Sequence, residues 1–199
     1  MPRKPRATYL EAAHAFADLV AQLPPSLEGP GLGEWDLRAL VGHTARSLVT
    51  VSDYLRRPAP SVVVGSAAEY VAGLGAASQD PAVTRRGVEA GQMLGDDPAG
   101  AVRLLLDSVT ADLARADLDQ VVTTYAGGMR LREYLPTRTF ELVVHGLDIA
   151  HAVPLPWTPP AAALRTTVRI AADVAVLRGE GPLLLRLVTG REPGGVAIV

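Results

Sequence analysis

The sequence predicts an all-α fold: an antiparallel four-helix bundle with an extra C-terminal helix and a tail. Three observations predict it. Four long segments carry apolar residues at helical spacing. Almost no segment shows the period-two alternation of a half-buried strand. Asp36 and the pair Asp97-Pro98 stand where helix N-caps belong.

The four segments read in order. Thr8 to Leu23 places Leu10, Ala13, Phe16, Ala17, Val20 and Leu23 on one side; Thr8 and Glu11 resemble a capping box, and Pro24-Pro25 stops the helix. Residues 1–6 are basic and read as frayed. A Gly/Pro loop follows over Ser26–Glu34, then Trp35 and the cap Asp36. The second helix runs to about Arg57, with Leu37, Leu40, Val41, Thr44, Leu48, Val51 and Leu55 as its stripe. Ala67 to Leu94 has helical tendency broken by Gly73, Gly75, Pro81, Gly87 and Gly91, so it predicts a broken helix or two short ones, the second capped by Asp80. Asp97-Pro98 opens a third long helix to about Ala116. Val121–Tyr125 is β-branched and turns at Gly127-Gly128; an extended loop is favoured slightly over a short hairpin. After the fourth segment, PLPWTPP reads as a rigid spacer, Ala161–Arg178 as a last helix, and the end as a surface tail.

With 199 residues, 48% of them apolar, the chain can bury a real core and reads as one domain over 1–199, with a bundle core over 7–153 and an extension over 154–199. The net charge of −2 argues against a nucleic-acid partner. Absence of cysteine excludes disulfides, thiolate metal ligands and a cysteine nucleophile. No run reaches the roughly 18 apolar residues of a membrane span, and MPRKPRATYL lacks a signal-peptide core, so the expectation is a cytoplasmic protein without a membrane partner. A homodimer paired through helices is a further possibility.

The chemistry concentrates in the fourth segment, Arg132–Val153. Glu141 and His145 are four apart and Asp148 three further on, so all three share a helix face, with Tyr134, Thr137 and Arg138 within roughly 60° of Glu141. Apolar residues flank that strip on both sides, which suits a buried helix pointing a carboxylate and an imidazole inward. His43 lies roughly 120° from its own stripe; alone it reads as a boundary histidine, as do His14 and His151. In a bundle with a wide buried arc, His43, Glu141 and His145 make two imidazoles and one carboxylate, a set that suits zinc or another divalent ion with a position left for water or substrate. Such a site is net positive and would take an anionic ligand. Asp148 and Tyr134 would support the ligands or line the pocket. Arg138 reads either as a donor fork for an anion or as the partner of a surface acid. Two other readings stand beside the enzyme: a non-catalytic metal-binding bundle with a regulatory or stress-response role, and a structural bundle in which Glu141 and His145 form an ion pair.

The segments EWDLRALVGHTARS and RTFELVVHGLDIAHAV resemble the two signature stretches of the mycothiol-dependent maleylpyruvate isomerase N-terminal domain family, part of the DinB-like superfamily of helical bundles. The ending LLLRLVTGREPGG is also similar to short members. The resemblance implies a DinB-like bundle in which His43, Glu141 and His145 hold a divalent metal, usually zinc. It also implies mycothiol, or a similar small thiol, as cosubstrate. The thiolate would add to a small electrophile, giving isomerisation or transfer. The isomerase that names the family carries a sizeable second domain, whereas only residues 154–199 follow the fourth segment here, so the expected electrophile is left open.

Overall fold

The computed structural model describes residues 5–74 and 81–193. Among them are eight helices and two small antiparallel strand pairs. The four long segments form the bundle: α1 (Pro5–Val20), α2 (Leu37–Leu55), α5 (Pro98–Arg115) and α6 (Leu131–Ala152). Helix α1 packs on α6 and α5, and α2 packs on the same two, which closes a ring around a core that includes Phe16, Leu40, Leu48, Leu106, Val109 and Leu135. Two short helices, α3 (Ala67–Leu74) and α4 (Pro81–Met93), replace the broken helical stretch, as its glycines predict. The cap residue expected at Asp80 lies outside the described residues. Helix α7 (Ala161–Leu177) covers α6, α1 and α3, and α8 (Gly181–Val188) rests on α7. The end of the expected tail, residues 194–199, is outside the described residues too.

Local signals account for several helix starts. Asp36 accepts a hydrogen bond from Ala39 N at 2.7 Å, and Asp97 accepts one from Gly100 N at 2.9 Å, so both N-caps form as the residue types require. The first helix departs from the expected start. The helix is already formed at Pro5, the first described residue and one turn before the expected start, and Thr8 is buried within it rather than standing at its N-cap. Arg6 is tied down by donating to Ala116 O, which also removes it from the expected frayed end.

Two stretches read as loops are paired. Strands β1 (Pro30–Leu32) and β2 (Trp35–Asp36) form a small ladder just before α2. Strands β3 (Val121–Thr124) and β4 (Gly127–Arg130) form a hairpin where the sequence slightly favoured a loop. The reason is tertiary. Residues 57–64 run along the hairpin, with Thr123 N bonding Arg57 O, Ala59 N bonding Val121 O and Val63 N bonding Gly128 O. Gly128 is needed there, because a Cβ would lie 2.0 Å from Ser61 O.

Glycine also sets the approach of α4 to α2. A Cβ on Gly42 would come 2.2 Å from Gly91 N, and one on Gly91 would come 2.7 Å from Arg38 O. The two helices therefore cross backbone against backbone. This explains the position of His43: the side of α2 that looks peripheral in the sequence is covered by α4. Helix α6 is buried nearly all round, from Tyr134 and Thr137 to Leu142, Gly146 and Ile149. The spacer after it does more than separate elements, since Trp157 packs on Gly146 and donates to Ala15 O at 3.3 Å.

Candidate metal centre

Helices α2 and α6 pack side by side and bring His43 to the face of α6 that carries Glu141 and His145. Glu141 Oε2 lies 3.7 Å from His43 Nε2 and 3.3 Å from His145 Nε2. The three donor atoms all fall within 4.8 Å of one another. Bonds of about 2.1 Å at tetrahedral angles separate ligand atoms by about 3.4 Å, so both measured edges match what one divalent cation would need. The imidazole planes meet edge to face with centroids 5.0 Å apart. The donor chemistry and its spacing fit a divalent cation.

Asp148 stands one turn beyond His145, with Oδ2 3.0 Å from His145 Nδ1. That contact assigns the Nδ1 proton and leaves Nε2 to face Glu141, the arrangement found behind many metal-bound imidazoles. The electrostatics follow from burial and neighbours. Burial disfavours charge on His145, but Asp148 and Glu141 outweigh it and raise the pKa to about 9. Burial lowers the pKa of His43, with only partial opposition from Glu141. Burial disfavours the Glu141 carboxylate, yet His145, His43 and Arg138 hold it well below the usual carboxylate range. The metal-free cluster is therefore an anionic Glu141 between a charged His145 and a neutral His43.

A cavity of about 610 Å³ opens beside the cluster, with His43, Glu141, His145 and Asp148 in its wall. Arg138 also faces it, although only 8% exposed; its Nε donates to Thr137 Oγ1 at 3.0 Å, and its Nη2 is buried with no hydrogen-bond partner. The guanidinium sits 5.2 Å from the Tyr134 ring and 5.5 Å from the Tyr70 ring. Among the described residues no ion pair joins Arg138 to a surface acid. Tyr134 is fully buried behind the wall, donating to Thr50 Oγ1 at 3.0 Å, and supports Arg138 from below.

Sequence reasoning missed several lining residues. Arg46 and Thr50 are three and seven positions after His43, so they share its helix face, and that spacing could have found them. Arg86 comes from α4 and Tyr125 from the hairpin turn, two elements whose docking no local pattern announces. His14 and His151 are exposed, in line with their reading as residues outside the site.

A helical bundle in which two helices turn two imidazoles and a carboxylate toward one point is of the DinB-like class. Residues 9–150 match the model of the mycothiol maleylpyruvate isomerase N-terminal domain family, and the chain belongs to that family. The match runs from within α1 to near the end of α6, takes in all three donor residues, and leaves α7 and α8 outside it. No curated protein and no solved structure matches the chain. Among the described residues no helix is long and apolar enough to cross a membrane.

Proposed function

We propose that the protein is a divalent-metal- and thiol-dependent transferase or isomerase acting on a small electrophile. The observation that carries this reading is the meeting of His43, Glu141 and His145 in the wall of a cavity large enough for a small substrate. Zinc suits the set best, being borderline-soft and accepting nitrogen, oxygen and sulfur together. When bound, such a cation lowers the pKa of a thiol and so supplies a nucleophile at neutral pH. The chain has no cysteine, so the sulfur comes from outside; family membership favours mycothiol.

The protein's own groups then have distinct tasks. Asp148 keeps the His145 tautomer fixed. Arg138, with Arg46 and Arg86 on the same cavity, gives the wall a cationic side that suits an electrophile bearing an anionic group. Tyr70 and Tyr134 hold the Arg138 fork in place by their ring faces. Trp35, Phe140 and Val144 keep the remaining wall apolar and limit water around the reacting sulfur.

The test has two parts. Metal analysis of purified protein is expected to give about one divalent ion per chain, and His43→Ala to carry much less while keeping a weakened, still measurable affinity through Glu141 and His145. Incubation with mycothiol and a panel of electrophiles is expected to give thiol adducts or isomerised product in the wild type but not in His43→Ala. A protein that holds metal yet turns over no electrophile would favour a non-catalytic role; one that holds no metal would end the reading.

A further inference from the structure

The two histidines of the cluster are held by unlike means. His145 has its Nδ1 fixed by Asp148. His43 has no such bond: its Nδ1 is buried without a hydrogen-bond partner. Rotation of an imidazole about χ2 is soft, so a ring lacking a hydrogen bond takes its orientation from what it packs against. For His43 that is Trp35, whose ring lies 4.4 Å away, centroid to centroid, at 33° between planes.

Trp35 is itself held on three sides. Its Nε1–H donates to Thr84 O at 3.0 Å. Gly87, one turn on in α4, lies so close that a Cβ there would come 2.6 Å from the indole. Its backbone is fixed by the β1–β2 ladder and by Asp36, the cap of α2. A rigid indole wedged between α4 and the imidazole can set the imidazole plane.

We infer that Trp35 is a positioning residue for His43, taking the part for this ring that Asp148 takes for His145. It keeps Nε2 turned toward Glu141 by packing, where a polar partner would otherwise do so. The inference rests on the proposed reading of the cluster as a metal site, and its tests are chosen to separate the two.

Zn²⁺ affinity is measured on metal-stripped protein by competition with a chromophoric chelator, with circular dichroism to confirm folding. Trp35→Leu keeps apolar bulk but removes the flat face; it is expected to weaken Zn²⁺ binding about 10–100-fold, as the loss of other orienting partners does. Trp35→Phe keeps a flat ring and is expected to stay within a few-fold of wild type. In a His43→Ala background Trp35→Leu is expected to cost nothing further, because the ring it orients is gone. Unchanged affinity in Trp35→Leu, or an equal loss with and without His43, would overturn the inference. If wild type binds no Zn²⁺, the metal reading fails, and the positioning claim is then decided by NMR of the metal-free protein. Cross-relaxation between the His43 and His145 rings is expected in wild type and Trp35→Phe but lost in Trp35→Leu; its persistence in Trp35→Leu would refute the claim.

Discussion

His145 Nδ1 and Asp148 Oδ2 are 3.0 Å apart, three residues along one helix, and this short contact decides which nitrogen of His145 is available for other work. Asp148→Asn replaces the carboxylate by a neutral amide of the same shape. It is expected to leave the fold intact and to weaken divalent-metal affinity about 10–100-fold, read by chelator competition. Wild-type affinity in that variant would mean that the contact is not orienting a ligand.

Glu141 lies between the two imidazoles, 3.3 and 3.7 Å from their Nε2 atoms. Glu141→Gln retains the volume and removes the charge. Purified Glu141→Gln is expected to carry much less metal than wild type, measured by elemental analysis. Unchanged stoichiometry would count against Glu141 as a direct ligand.

The metal-free protein should show a distinctive pH dependence. Burial opposes the charge on His145, yet Asp148 and Glu141 raise its pKa to about 9, whereas an unfolded imidazole titrates near about 6.5. A proton bound more tightly in the folded state stabilises it. That contribution is complete below about pH 6.5 and disappears as pH climbs through about 9. The thermal midpoint of EDTA-treated protein is therefore expected to drop between pH 6.5 and 9.5, with a stability loss on the order of 2–3 kcal/mol. His43, kept neutral by burial, does not titrate in that range. A level profile would contradict the charged state assigned to His145.

Metal uptake is expected to follow the opposite trend. His145 must shed a proton before Nε2 can coordinate, so binding releases protons and affinity rises with pH across the same interval. Acidification below about pH 6 should strip the metal, because imidazole ligands must be neutral. Calorimetry in buffers of different ionisation enthalpy would measure the protons released; a count of zero at pH 7 would exclude His145 as a ligand.

Gly42 and Gly91 meet backbone to backbone, and a Cβ on Gly42 would lie 2.2 Å from Gly91 N. Gly42→Ala is expected to destabilise the protein by about 1–3 kcal/mol, as overpacking of a tight contact does, and to shift α4 outward. Chemical denaturation of the variant would measure the loss.

Much of this molecule can be read directly from its sequence because the controlling interactions are local. Asp36 and Asp97 announce α2 and α5 through bonds that span three residues. The spacing of Glu141, His145 and Asp148 places them on one face of α6 without reference to any other element. What escapes the sequence depends on partners distant in the chain. The β3–β4 hairpin is stabilised by residues 57–64, and Arg86 reaches the cavity only because Gly87 and Gly91 let α4 lie flat on its neighbours. Those glycines look like helix breakers when read locally, and act as a contact face when α2 and Trp35 are present. His43 looks peripheral for the same reason: its neighbours Trp35, Glu141 and His145 come from outside α2, and its own periodicity does not record them.

The glycine-lined seat of α4 separates two kinds of constraint. The donor residues stand on α2 and α6, within the ring of long helices, while Val83 and Arg86 reach the cavity from a short helix laid against it. Exchanges at those two wall positions are expected to change which small molecules the cavity admits while leaving His43, Glu141 and His145 in place. A protein arranged in this way can diversify what it admits through one replaceable panel while its donor set stays the same.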